Sequence, residues 1–113
     1  MKVKVSEAAK NQLNWMVSLA TGVPVTLSRG VLFWTGTNHV ADPITNWSQG
    51  GPIIERERIS TNSDYNGAYP DPWVAESYSG GVQRAGHTPL IAAMRCFCVS
   101  KLGEEVEVPD ELA

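Results

Sequence analysis

The run from Pro89 to Leu102, "PLIAAMRCFCVSKL", limits what this chain can fold into more than any other stretch. Thr88 before it is a good N-cap, Pro89 suits a first helical turn, Lys101 sits in the last turn and Gly103 is a stop signal. The spacing therefore predicts a helix, and its circumference is apolar except at Arg95 and Lys101. Such a helix must be covered on nearly every side. A chain of 113 residues has room for one core, so the expectation is a single domain, 1–113, built around this central helix.

The remaining segments are read as the cover. "KVKV" at the start suits an edge strand, and Ser6 with Glu7 reads as the cap and first turn of another helix. Ala9, Leu13, Met16, Val17 and Ala20 recur at three- and four-residue spacing, with Trp15 beside them, and Gly22 and Pro24 end the run. Val23 to Trp34 carries β-branched and aromatic residues around Ser28-Arg29-Gly30, the pattern of a hairpin. Thr35 to Asn46 reads as loop. Ser60 to Pro72, dense in Asn, Asp, Gly and Pro, reads as a long loop, of the kind that in small domains is often functional or mobile, and the sequence leaves open whether it closes as a lid. "WVAESY" from Trp73 to Tyr78 is a further strand ended by Gly80 and Gly81, and Val106 and Val108 can join the sheet. The fold class expected is α+β, two helices packed on a small, mainly antiparallel β-sheet.

One segment resists this scheme. After the turn residues Asn46 to Pro52, the stretch Ile53 to Ser60 reads as a strand, yet neither of its alternating faces is cleanly apolar. One carries Ile53, Glu55, Glu57 and Ile59, the other Ile54, Arg56, Arg58 and Ser60. As a central strand it must turn a charged row to a cleft or interface, because burying unpaired charge costs several kcal/mol. As an edge strand its charges would discourage aggregation.

Composition removes some functions. The net charge of −3 argues against general duplex DNA binding, which draws on many Lys and Arg neutralising phosphates, though a local basic patch is compatible with it. No apolar run is long enough to span a bilayer, and no signal-peptide pattern opens the chain, so a cytoplasmic protein with no membrane association is expected. Cys96 and Cys98 point about 200° apart on a helix, which suits buried thiols rather than a disulfide or metal clip. His39 and His87 are far apart, with no spaced Cys or His pair. No metal site and no cofactor is expected.

The stretches "MKVKVSEA", the "NW" of the first helix, "NWSQGGPIIERERI", "HTPLIAAMR" and "KLGEEVEVP" together resemble the NinX-like proteins, a family of small proteins of tailed bacteriophages and prophages with no assigned function. The resemblance implies a phage accessory protein made in the bacterial cytoplasm. It brings no catalytic residues to carry over, and no catalytic residue is assigned from the sequence.

Three constellations can bind. In Trp47-Ser48-Gln49-Gly50-Gly51-Pro52, paired glycines can form an anion-binding nest beside an aromatic stacking face; the alternative is a tight turn with Trp47 in the core and Gln49 exposed. The motif is not a P-loop. Arg56 and Arg58 offer forked hydrogen bonds to phosphate. Glu55 and Glu57 are taken as solvated acids, with acid/base work in an enzyme of nucleotide or DNA metabolism as the less favoured alternative. Gly86-His87-Thr88-Pro89, with Arg84 nearby, places free N–H groups at a helix start. The function expected is non-enzymatic binding of a small anionic ligand, a nucleotide in the first instance, which in a phage could sequester a host defence signal. Its candidate residues are Trp47, Ser48, Gln49, Gly50, Gly51, Arg56, Arg58, Trp73, Arg84 and His87. The alternative is an adaptor or inhibitor that binds a host protein through Trp73, the tyrosines between Asp64 and Tyr78 and the acidic tail. A homo-oligomer is open in either case.

Overall fold

The computed structural model describes residues 1–64, 67 and 69–112. Its elements in chain order are β1 (Lys2–Lys4), α1 (Lys10–Thr21), β2 (Val25–Ser28), β3 (Val31–Trp34), α2 (Trp47–Glu57), β4 (Ser60–Ser63), β5 (Trp73–Glu76), β6 (Gln83–Gly86), α3 (Pro89–Leu102) and β7 (Glu105–Glu107). Single 3-10 turns lie at Val5–Glu7 and Asp110–Leu112.

The terminal helix is central, as its composition requires. Thr88 Oγ1 accepts a hydrogen bond from the Ile91 N–H at 3.1 Å, and Leu90, Ala92, Ala93, Met94, Cys96, Phe97 and Cys98 are all buried. Helices α1 and α2 and strands β4 to β6 pack against it. The fold is α+β, but among the described residues it has three helices and three small antiparallel sheets, not two helices on one sheet. The sheets are β1–β7, β2–β3 and β4–β5–β6. One flat sheet can cover only one side of a helix. A helix apolar all round needs cover from several directions, and separate sheets and helices supply it.

Segment 47–57 is the main correction. It is helical, not a turn followed by a strand. Asn46 caps it, accepting from the Ser48 N–H at 3.0 Å and the Ser48 hydroxyl at 2.6 Å. Gly50 and Ile53 are buried and Ile54 is partly buried, the i, i+3, i+4 pattern of one helical face. The charges that fit neither strand face fall on the rest of the circumference. Gly50 explains why a weak helix former stands there: a Cβ would lie 2.3 Å from the Pro43 carbonyl oxygen and 2.5 Å from Leu90 Cδ1. The helix ends with Arg58 in the left-handed region (φ 53°), where the Arg58 and Ile59 N–H groups return to the carbonyls of Glu55 and Ile54 at 3.3 and 3.1 Å. This is a Schellman stop with arginine in the place usually held by glycine.

Two further expectations shift. Ser6 and Glu7 lie in a 3-10 turn, and α1 starts at Lys10, where Gln12 Oε1 accepts from the Ala9 N–H at 2.8 Å. Gln12 also donates to the Leu112 carbonyl at 3.0 Å, so α1 is tied to the chain's end. The supposed long loop 60–72 begins as strand β4, paired antiparallel from Ser60↔Glu76 to Ser63↔Trp73. Its composition, Ser-Thr-Asn-Ser, favours turns, and the ladder to β5 overrides that preference. β6 pairs with the other side of β5. The hairpin β2–β3 forms as expected, with Arg29 and Gly30 at φ 52° and 78°, the two left-handed positions of a tight hairpin turn. Val106 pairs with Val3 across β1–β7.

Candidate functional site

A cleft of about 450 Å³ opens between the C-terminal ends of α2 and α3 and the turn that follows β5. Arg56, Glu57 and Arg58 line it from α2, Ser100 and Lys101 from α3, and Ser77, Tyr78 and Ser79 from the turn. Ile59 and Phe97, both buried, form its apolar floor. The three cations occupy helix ends whose exposed carbonyls favour positive charge. Packing α2 and α3 side by side gathers them into one place.

Glu57 organises two of these cations. Its Oε1 lies 3.1 Å from Lys101 Nζ, and its Oε2 accepts from Arg56 Nε at 3.1 Å. Lys101 foremost, and then Arg56, hold the Glu57 carboxyl below its ordinary range against the opposing effect of burial. The contact to Arg56 uses only Nε, so both terminal nitrogens of that guanidinium stay available. Arg58 pairs with no carboxylate among the described residues; its guanidinium stands 5.2 Å from the centre of the Tyr78 ring. Tyr78 is 73% exposed and lies beyond the end of β5, not within a strand reaching Tyr78 as expected.

The other candidate residues are dispersed. Ser48 is engaged with Asn46 at the start of α2. Gln49 is a brace instead of an exposed side chain: its Oε1 accepts from Trp34 Nε1 at 3.1 Å and from the Asp42 N–H at 2.7 Å, and its Nε2 donates to the Val40 carbonyl at 2.8 Å. Gly50 and Gly51 lie within the helix at negative φ, and the Gly50 N–H bonds to the Asn46 carbonyl. The pair therefore forms no nest. Trp47 is 54% exposed, outside the core and away from the cleft.

Trp73 is half-buried in β5. Arg84 pairs with Glu104 and donates to the Gln83 carbonyl at 2.6 Å. His87 Nδ1 faces Asp71 Oδ1 at 3.4 Å, and the same carboxylate takes Arg95 Nη1 at 3.2 Å. Arg95 also donates to the Ala85 carbonyl at 2.8 Å. That ion pair anchors the segment before β5 to α3, away from the cleft. Of the tyrosines between Asp64 and Tyr78, Tyr65 lies outside the described residues.

Of the residues lining this cleft, the sequence points to Arg56 and Arg58 as ligand-binding and counts Tyr78 only among the protein-contact tyrosines; it does not single out Lys101, Ser77, Ser79 or Ser100, and from it Glu57 reads as solvated. Nothing local marks Lys101 or Ser100 as neighbours of Arg56. Their meeting depends on α2 being a helix that packs on α3. Both cysteines are buried and free; burial raises the Cys96 thiol and pushes Cys98 up to about 12. Among the described residues no helix is long and apolar enough to cross a membrane.

No curated protein matches the chain. A family model described as "Bacteriophage P22, NinX" matches residues 4–101. That span holds α1, α2, α3 except its last residue Leu102, and the residues named as lining the cleft. The chain belongs to this NinX family of phage proteins.

Proposed function

We propose that this NinX-family chain is a non-enzymatic binder of a small anionic ligand of nucleotide type, held in the cleft between α2 and α3. The observation that carries the reading is the convergence of Arg56, Arg58 and Lys101 on one concave site with, among the described residues, the one carboxylate of Glu57, beside an exposed aromatic ring. Guanidinium groups give forked hydrogen bonds to phosphate. A tyrosine face accepts a base by stacking. The volume lies within the range of small-molecule sites. In a phage-encoded protein such binding would withdraw a nucleotide signal from the host.

The test is a thermal-shift screen of the purified chain against nucleotides, linear and cyclic. Ligand at 100 times its dissociation constant adds about 2.7 kcal/mol to stability. For a chain of this length that is a rise of about 10 °C. A hit that disappears in Arg58→Ala supports the reading, and a flat screen overturns it. A flat screen would favour the second reading, a host-protein adaptor, for which the exposed indole of Trp47 on the outer side of α2 is the supporting feature.

A further inference from the structure

We infer that the ligand of this cleft is a nucleoside monophosphate, whose single phosphomonoester dianion meets the cations while its base lies on Tyr78. The inference rests on the reading of the cleft as an anion site and goes on to define the anion.

The first argument is charge. Arg56, Arg58 and Lys101 face one carboxylate, Glu57, so the described lining carries two positive charges in excess. A phosphomonoester above its second ionisation carries two negative charges on one phosphorus. A triphosphate brings about four, and among the described residues no further cation lines the cleft to meet them. A polynucleotide needs a track of cations along its backbone, which a chain of net charge −3 does not offer.

The second argument is the placement of that charge. Arg56 and Lys101 touch the two oxygens of the same carboxylate at 3.1 Å each. Their heads are therefore neighbours, suited to one group of concentrated charge and not to two phosphodiesters held apart. Glu57 consumes only Nε of Arg56 and one N–H of Lys101, leaving the guanidinium fork and the remaining ammonium protons for phosphate oxygens. Ser77 and Ser79 together add a hydroxyl donor. The Ser77 oxygen accepts from the Val82 N–H at 3.1 Å and lies 3.4 Å from Ser79 Oγ, so whichever of the two serines donates in that contact, the other keeps its hydroxyl proton for the cleft.

The third argument is the apolar portion. Tyr78 is 73% exposed, and the part of its ring that the Arg58 guanidinium does not cover is a surface with no use for an inorganic anion and a direct use for a base, above a floor closed by the buried Ile59 and Phe97.

The experiment is isothermal titration of the full chain with the four nucleoside monophosphates, the matching triphosphates, cyclic AMP, a cyclic dinucleotide and inorganic phosphate, at pH 7 and pH 5. Because the second ionisation of a phosphomonoester lies near pH 6, affinity for the monophosphate should fall about tenfold at pH 5, where about one molecule in eleven is the dianion. Cyclic AMP has no such ionisation and controls for titration of the protein. The inference is supported by a monophosphate that binds at least ten times tighter than inorganic phosphate, the triphosphate and the cyclic forms, with the pH dependence above and loss in Arg58→Ala. Triphosphate or cyclic dinucleotide binding more tightly, through Arg58, overturns the monoester and leaves the anion site standing. Inorganic phosphate binding as tightly as the nucleotides overturns the nucleoside. No binding by any anion, or binding indifferent to Arg58→Ala, overturns both the inference and the reading beneath it.

Discussion

Gly50 and Gly51 are adjacent in one helix, yet they should answer the same substitution differently. Alanine is normally better than glycine in a helix interior by about 1 kcal/mol. At Gly50 that gain meets a collision: the added Cβ stands 2.3 Å from the backbone oxygen of Pro43 and 2.5 Å from Leu90 Cδ1. The leucine tip can turn aside, but the carbonyl moves only with its chain. Overpacking of this kind costs about 3 kcal/mol at the upper end of its usual range. The net expectation for Gly50→Ala is a loss of about 2 kcal/mol, or about 8 °C in melting temperature for a chain of this length. At Gly51 the nearest atom is Trp47 Cε3 at an ordinary 3.9 Å. There the helix gain is offset by the following Pro52, whose ring disfavours helical backbone at a preceding residue that has a Cβ. Gly51→Ala should therefore stay within about 0.5 kcal/mol of the parent. Thermal melts followed by circular dichroism, with urea titration as a check, measure both. A Gly50→Ala protein as stable as the parent would refute the packing of α2 against Pro43 and α3. Equal losses at both positions would refute the helix and restore a turn in which both glycines are needed.

Four further outcomes are expected. Replacing Arg56 and Arg58 with Ala together should leave folding largely intact, since both project from the end of α2, and should abolish the ligand-induced rise in melting temperature; a large loss of stability with binding unchanged would make them structural. Asp71→Ala removes the carboxylate facing Arg95, whose side chain is only 17% exposed, and should cost about 2 kcal/mol in urea unfolding, as for hydrogen bonds to charged groups; a cost near zero would show the pair to be incidental. Glu57 has its folded carboxyl below the ordinary value of 4.5, so its stabilisation is complete above that pH and disappears as pH falls through the lower folded value. Urea midpoints between pH 6 and pH 3 should fall less steeply in Glu57→Gln than in the parent, and parallel curves would sink this assignment. Cys98, pushed up to about 12 by burial, and Cys96, also raised, should not react with a thiol reagent at pH 8 until the chain is unfolded; rapid reaction of the native protein would contradict their burial.

The sequence by itself determined the centre of this protein. An all-round apolar run with a Thr-Pro start and a Gly stop has one physical solution, a capped helix enclosed by the rest of the chain, and α3 is that helix. The β2–β3 turn was equally legible, because Arg29-Gly30 sits between two runs of strand-forming residues and the turn conformation is local. Local reading failed at segment 47–57 and at β4, and for one reason. Glycines and a proline argue against a helix, and Ser-Thr-Asn-Ser argues against a strand, by margins of about 1 to 3 kcal/mol that contacts with distant residues exceed. Gly50 fits only because Leu90 and Pro43 come within reach of it, and β4 forms only because β5 lies alongside. The candidate site inherits the same division. Arg56 and Arg58 stood out in the sequence as charges without a face, while Lys101, Ser100 and Tyr78 became their neighbours only when α2 wound into a helix against α3. That cleft was decided by tertiary packing, because a cluster drawn from three separate elements has no signature along the chain.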